Sequence, residues 1–164
     1  MPMLTAGDRA PVFELFDLAG TRHRLGDNGA AGPAVVVFWK PECNTCALGA
    51  PYLQRLTDAY PGEGWRLLAI SQDRSQRTAE FVSEHALTFP ILLDEEGWPV
   101  SKQYDPEATP TLFFVSDGGV IEMTSVGFHK EELNQVAARL ADHLGQPAQV
   151  IAEPDDGNPP FRPG

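Results

Sequence analysis

The sequence has little cysteine, and this shortage limits what its thiols can be for. Only two of the 164 residues are cysteine. A chain of this length can bury a full hydrophobic core in one domain, so it has no need of disulfide or metal cross-links to hold its fold. The two thiols are therefore free to carry chemistry.

Positive charge and long apolar runs are also scarce. The chain has 12 Lys and Arg against 23 Asp and Glu, a net charge of -11, so nucleic acid and anionic membranes would repel it. No apolar run approaches the ~20 residues that span a bilayer, and residues 1–5 have neither the basic start nor the apolar stretch of a secretory signal. We expect a monomer in the cytoplasm, or an exported protein if a leader has been removed.

The two cysteines lie two residues apart, where a predicted strand meets a predicted helix. Residues Ala34–Trp39 are continuously apolar, which is typical of a strand buried on both faces. Apolar residues then recur at helical spacing from Cys46 to Tyr60. A helix N-terminus stabilises a thiolate through its free N–H groups and its dipole. We therefore predict that Cys43 is a nucleophile and that Cys46 is the resolving cysteine.

The motif Trp39-x-Pro41-x-Cys43-x-x-Cys46, with Pro51 five residues later, resembles the active site of thioredoxin-fold thiol-disulfide oxidoreductases. The similarity is greatest to the TlpA-like and redoxin (AhpC/TSA-like) branch, and it extends from about residue 4 to residue 144. It implies thiol-disulfide exchange with a partner protein that presents a disulfide or a dithiol. It also implies an upstream electron donor or acceptor, and no bound organic cofactor.

A second motif supports the same resemblance. Residues Ala108–Thr111 precede the apolar strand 112–115 and resemble the cis-proline loop that faces the cysteine pair in this superfamily. By that resemblance the bond before Pro110 is cis and Thr109 binds the substrate backbone. Together with Trp39 and Pro41, these two residues are the predicted substrate-binding positions.

The resemblance implies an α/β fold of the thioredoxin-like type, with a mixed central β-sheet flanked by helices on both faces. Alternating residues predict an N-terminal β-hairpin over residues 12–25, a feature of redoxins that plain thioredoxins lack. A strand, a helix and a second strand over residues 65–93 match the β-α insertion of the same branch, with a helix predicted at 75–85.

The two ends of the chain are predicted to differ. We assign residues 1–145 to the thioredoxin-like (redoxin) domain, which ends with an amphipathic helix stopped by Gly145. Residues 146–164 are rich in Pro and Asp and poor in apolar side chains. We predict a flexible tail with no core to join.

Two familiar proton-handling acids are missing. Plain thioredoxins carry a buried Asp where this sequence has Val37, and some TlpA-like reductases carry a Glu where it has Gly49. The nearest carboxylate in sequence is Glu42, which is the candidate for proton handling. Its charge would oppose thiolate formation on Cys43.

Three other functions stay open. A thiol peroxidase would need a Thr or Ser three residues before its reactive cysteine, where Cys43 has Lys40. A Cu(I)-binding assembly factor could use Cys43, Cys46 and His129, although such proteins space their cysteines one residue further apart. A redox-inactive binding module could hold an extended peptide beside Pro110, and Cys43→Ser would separate it from an oxidoreductase.

Overall fold

The protein is organised around a five-stranded mixed β-sheet in a computed structural model that describes residues 3–26 and 32–164. The strands are β1 Phe13–Phe16, β2 Arg22–Leu25, β3 Ala34–Trp39, β4 Arg66–Ser71, β5 Ile91–Leu93, β6 Thr111–Val115, β7 Ile121–Val126, β8 Phe128–His129 and β9 Phe161–Arg162. The helices are α1 Asn44–Ala59, α2 Ser75–His85, α3 Pro99–Tyr104 and α4 Lys130–Leu144. The central sheet has the order β5-β4-β3-β6-β7. This confirms the predicted thioredoxin-like α/β class.

Strand β3 lies in the middle of this sheet because all of its six residues are apolar and buried. It runs parallel to β4 and antiparallel to β6. Its partner register pairs Phe38 with Thr111, so the end of β3 lies beside the start of β6. The loops that carry Cys43 and Pro110 are thereby brought to the same edge of the sheet.

The two faces of the sheet are covered by different elements. Val35 and Val37 of β3 share a buried cluster with residues of α1, α2 and α4, whereas Val36 and Phe38 share another with α3 and the N-terminal hairpin. The hairpin is formed by β1 and β2, which pair antiparallel as predicted. Among the described residues, no helix is long and apolar enough to cross a membrane.

The prediction that residues 146–164 have no core to join is wrong. Ile151 and Ala152 are 4% and 2% exposed and belong to the cluster on the α1 face. Further on, β9 pairs antiparallel with β8. Two apolar residues in a polar stretch attach the segment, because they join a buried cluster with residues of α1 and α4.

A buried lysine on α4 holds the same segment. Lys130 is 5% exposed, and its Nζ donates to Asp156 Oδ1 at 2.5 Å and to the carbonyls of Glu153 and Asn158 at 2.9 Å each. The hydroxyl of Tyr52 also donates to the Asp156 carboxylate. The bonds from Lys130 and Tyr52 hold the pKa of Asp156 well below its usual range. A buried ammonium requires such acceptors, which explains why a polar segment folds here.

Candidate active site

Cys43 is the N-cap residue of α1, and its sulfur lies at the helix N-terminus. The Sγ atom accepts a hydrogen bond from the backbone N–H of Cys46 at 3.1 Å. The Cys43 carbonyl accepts the next bond, from Ala47 at 3.0 Å. A hydrogen bond to an ionised acceptor is stronger than one to a neutral acceptor. The helix end is therefore arranged to support a thiolate on Cys43, as the strand-to-helix junction predicts.

The second contact of the Cys43 sulfur joins it to the predicted cis-proline loop. The thiol donates to the carbonyl oxygen of Thr109 at 3.1 Å, and the peptide bond between Thr109 and Pro110 is cis. The carbonyl of Pro110 accepts from the Gly127 N–H at 2.8 Å, which fixes the loop against the chain that follows β7. The sequence motifs around residues 43 and 109 thus meet in space.

The two cysteines have different surroundings, although both are free thiols. Cys43 is half-buried, whereas Cys46 is 4% exposed. Burial raises the pKa of the Cys46 thiol, and the hydrogen bond with Cys43 adds to the rise. Cys43 can therefore meet a partner from outside, whereas very little of Cys46 is accessible to solvent.

Cys46 faces an apolar cavity that is lined by both positions at which the sequence lacks the expected carboxylate. Val37 and Gly49 line this cavity. Trp39 and Ser125 also line it. The Ser125 hydroxyl donates to Glu132 Oε1 at 2.7 Å, whereas the buried Trp39 Nε1 has no hydrogen-bond partner among the described residues. Neither residue 37 nor residue 49 offers a carboxylate to take the Cys46 proton.

Trp39 is buried beside the cysteine pair, and its predicted part in substrate binding stays a prediction. It is 5% exposed, and its ring packs on Phe81 of α2 with the centroids 4.7 Å apart. It lines the cavity behind Cys46. Pro41 is half-buried in the turn before Cys43. The tryptophan therefore shields the buried cysteine from behind.

Glu42 is exposed and forms an ion pair with Arg77 of α2. The arginine offsets the negative charge that the sequence places beside Cys43. Sequence analysis missed this pairing because Arg77 belongs to a separate helix, and its approach to residue 42 depends on how α2 packs.

An open groove of about 650 Å³ passes the Cys43 side chain. It is lined by residues from three parts of the chain: Lys40, Cys43, Asn44 and Thr45; Glu107, Ala108 and Thr109; and Arg162, Pro163 and Gly164. The last three residues lie in the predicted tail, and no local pattern in the sequence indicates their position. The hydrogen bond from Thr45 Oγ1 to the Pro163 carbonyl joins residues 118 apart in the chain.

His129 does not join the cysteine pair. It caps the N-terminus of α4, where its Nδ1 atom accepts from the Glu132 N–H at 3.3 Å. Within residues 3–26 and 32–164, no three His, Cys, Asp or Glu side chains are grouped so that they could hold a metal ion. The structure therefore does not group the three ligands that the copper alternative names.

Comparison with known proteins finds thiol-disulfide oxidoreductases among the relatives of this chain. Residues 6–124 match the model of the AhpC/TSA family. The thiol-disulfide oxidoreductase ResA of Geobacillus kaustophilus is 31% identical over 130 residues, which cover 79% of this chain and 74% of that protein. The sporulation thiol-disulfide oxidoreductase A of Bacillus subtilis is 32% identical over 97 residues, 57% of this chain and 58% of the relative.

Solved structures agree with the fold. A crystal structure of a thiol:disulfide interchange protein DsbE from Chlorobium tepidum, itself described as putative, superimposes with a TM-score of 0.76 at 23% identity, covering 87% of this chain and 99% of that one. StoA from Bacillus subtilis gives a TM-score of 0.65 at 26% identity, covering 77% and 96%. The first likeness supports the fold alone, because its sequence identity is low.

Proposed function

Since the chain belongs to the AhpC/TSA family and is a thiol-disulfide oxidoreductase, we propose that Cys43 attacks the disulfide of a partner protein and that Cys46 resolves the product. The observation that carries this assignment is the position of the Cys43 sulfur. It caps α1, bonds to Thr109 O and lines the open groove, whereas Cys46 is buried behind it.

The proposed reaction has two exchange steps. The Cys43 thiolate attacks one sulfur of the partner disulfide, a mixed disulfide forms, and the other partner sulfur leaves as a thiolate that takes up a proton. Cys46 then loses its proton and attacks the Cys43 sulfur. The intramolecular disulfide forms and the second partner sulfur leaves. The partner gains two electrons, and the cysteine pair loses them.

The reduction potential tests both the cysteine pair and its direction. The protein is equilibrated in glutathione or dithiothreitol buffers and its free thiols are counted. We expect a cooperative two-electron transition. A midpoint near or below about -270 mV would indicate a reductase, and one near about -120 mV a strong oxidant. If no intramolecular disulfide forms at any buffer potential, the proposal is rejected.

Gly49→Glu should restore a proton acceptor beside Cys46. A Cβ atom at residue 49 would meet Phe128 at 3.9 Å, an ordinary contact, so the first atom of the new side chain fits. Because burial raises the pKa of Cys46, we expect resolution in the native chain to speed up about tenfold per pH unit through neutral pH. In the variant the profile should flatten. Stopped-flow measurement of mixed-disulfide decay gives both profiles, and identical profiles would reject the role of this position.

Peroxidase activity is the second enzymatic candidate, because the N-terminal hairpin resembles that of peroxiredoxins. The residue three before Cys43 is Lys40, which lines the groove, and the Thr45 hydroxyl is engaged by the Pro163 carbonyl. A peroxidatic thiolate needs a hydroxyl to position peroxide. Consumption of hydrogen peroxide by the reduced protein, compared with its rate of disulfide exchange, distinguishes the two activities.

A further inference from the structure

We propose that Arg162–Gly164, here called the C-terminal wall, recognise the segment of the partner protein that carries the disulfide. This inference rests on the proposed function, because it assumes that a partner protein brings its disulfide to Cys43 through the groove. The occupant that it names is an extended segment of a protein. The wall lies outside residues 6–124, the part of the chain that matches the family model.

The wall contacts three separate parts of the site. The Pro163 carbonyl accepts from Thr45, which stands between the two cysteines, at 2.8 Å. A Cβ atom placed on Gly164 would lie 2.5 Å from the Thr109 carbonyl, so the backbone there packs directly on the loop that bonds Cys43. A Cβ atom on Gly127 would likewise lie 2.7 Å from the Arg162 carbonyl.

The wall is anchored by the chain immediately before it. Pairing of β9 with β8 holds residues 161 and 162, and the backbone N–H of Lys130 donates to the Pro160 carbonyl at 3.0 Å. The Lys130 ammonium has its acceptors at Glu153, Asp156 and Asn158. Detaching the segment would leave this buried charge without partners, which is strongly unfavourable. The segment that leads into the wall is therefore anchored, and the wall itself is held by the β8–β9 pair and by its bond to Thr45.

The wall restricts how a partner can reach Cys43. The sulfur is half-buried between the first turn of α1, the loop at 107–109 and the wall. A cysteine that lies flush with a globular surface would meet these boundaries before it met the sulfur. An extended segment can lie along the groove, where Lys40, Glu107 and Arg162 provide charges of both signs.

The test compares two disulfides with each protein variant. One is a linear synthetic peptide containing a disulfide, and the other is bis(2-hydroxyethyl) disulfide, which is small and uncharged. The measured quantity is the ratio of their second-order rate constants with the reduced protein. We expect deletion of residues 161–164 to lower this ratio about tenfold and Arg162→Ala to lower it about threefold. Asp155→Ala, exposed on the same segment, is the matched control and should leave the ratio unchanged.

Two results would overturn the proposal that the C-terminal wall recognises the partner. An unchanged ratio would mean that the partner does not touch it, and a raised ratio would mean that it covers the site. If the deletion variant loses its far-UV circular dichroism spectrum, Arg162→Ala decides alone. Failure of the proposed function is a different result, because the intact chain would then react with neither disulfide.

Discussion

Cys43→Ser should abolish thiol exchange, with the rate constant toward partner disulfides falling by more than about 10³-fold. A serine hydroxyl does not ionise near neutral pH, so it supplies no nucleophile. Serine is nevertheless a preferred N-cap residue, and it can accept the bond from the Cys46 N–H that the sulfur accepts now. The variant is therefore expected to keep the thermal stability of the parent, which makes the loss a chemical effect.

The control is Cys46→Ser, which removes the second step and leaves the first. It should accumulate a mixed disulfide between Cys43 and the partner, visible by mass spectrometry under non-reducing conditions. A redox-inactive binding module would behave differently, because Cys43→Ser would keep its function and Cys46→Ser would trap nothing. Full activity in Cys43→Ser would refute the nucleophile assignment.

The parts of the fold that sequence predicts well are those set by local pattern. Helix α2 was expected at 75–85 and spans Ser75–His85, and the N-terminal hairpin was expected from alternation. The meeting of Cys43 with Thr109 was predictable because two motifs of one superfamily mark both loops. In each case the signal lies within a few adjacent residues.

The parts that sequence does not predict depend on distant packing. The contact of Trp39 with Phe81 is one example. The ion pair between Glu42 and Arg77 is another. Each outcome depends on where α2 lies on the sheet, and the residues near Cys43 contain no information about that.

The two absent carboxylates are partly predictable from sequence and partly dependent on packing. The absence of carboxylates at Val37 and Gly49 is visible in the sequence, but the two positions are 12 residues apart and belong to different elements. Only the packing of α1 on β3 brings both to the cavity that Cys46 faces. The consequence for the Cys46 proton therefore required the structure.

Deleting residues 151–164 should strongly destabilise the protein, although composition alone predicts no effect. The deletion removes the buried Ile151 side chain, and it also removes all four acceptors that the segment offers to the Lys130 ammonium. Truncation of a buried isoleucine costs about 2–5 kcal/mol. We expect a loss of about 3–5 kcal/mol in the free energy of unfolding, seen as a Tm lower by about 10 °C. Thermal and urea unfolding measure both quantities.

The shorter deletion of residues 161–164 is the matched control, because it keeps Ile151 and the Lys130 acceptors. It should cost less than about 1 kcal/mol, since exposed strand pairs contribute little.

Asp156→Asn isolates the ion pair between Asp156 and Lys130. The depressed pKa of Asp156 means that its contribution is present above the usual carboxyl pKa of about 3.9 and is lost as pH falls further. The stability gap between this variant and the parent should therefore narrow in acid. Equal Tm values for the parent and both deletions would mean that the segment contributes nothing to the stability of the fold. The C-terminal wall beside Cys43 would then not be anchored by the segment that precedes it.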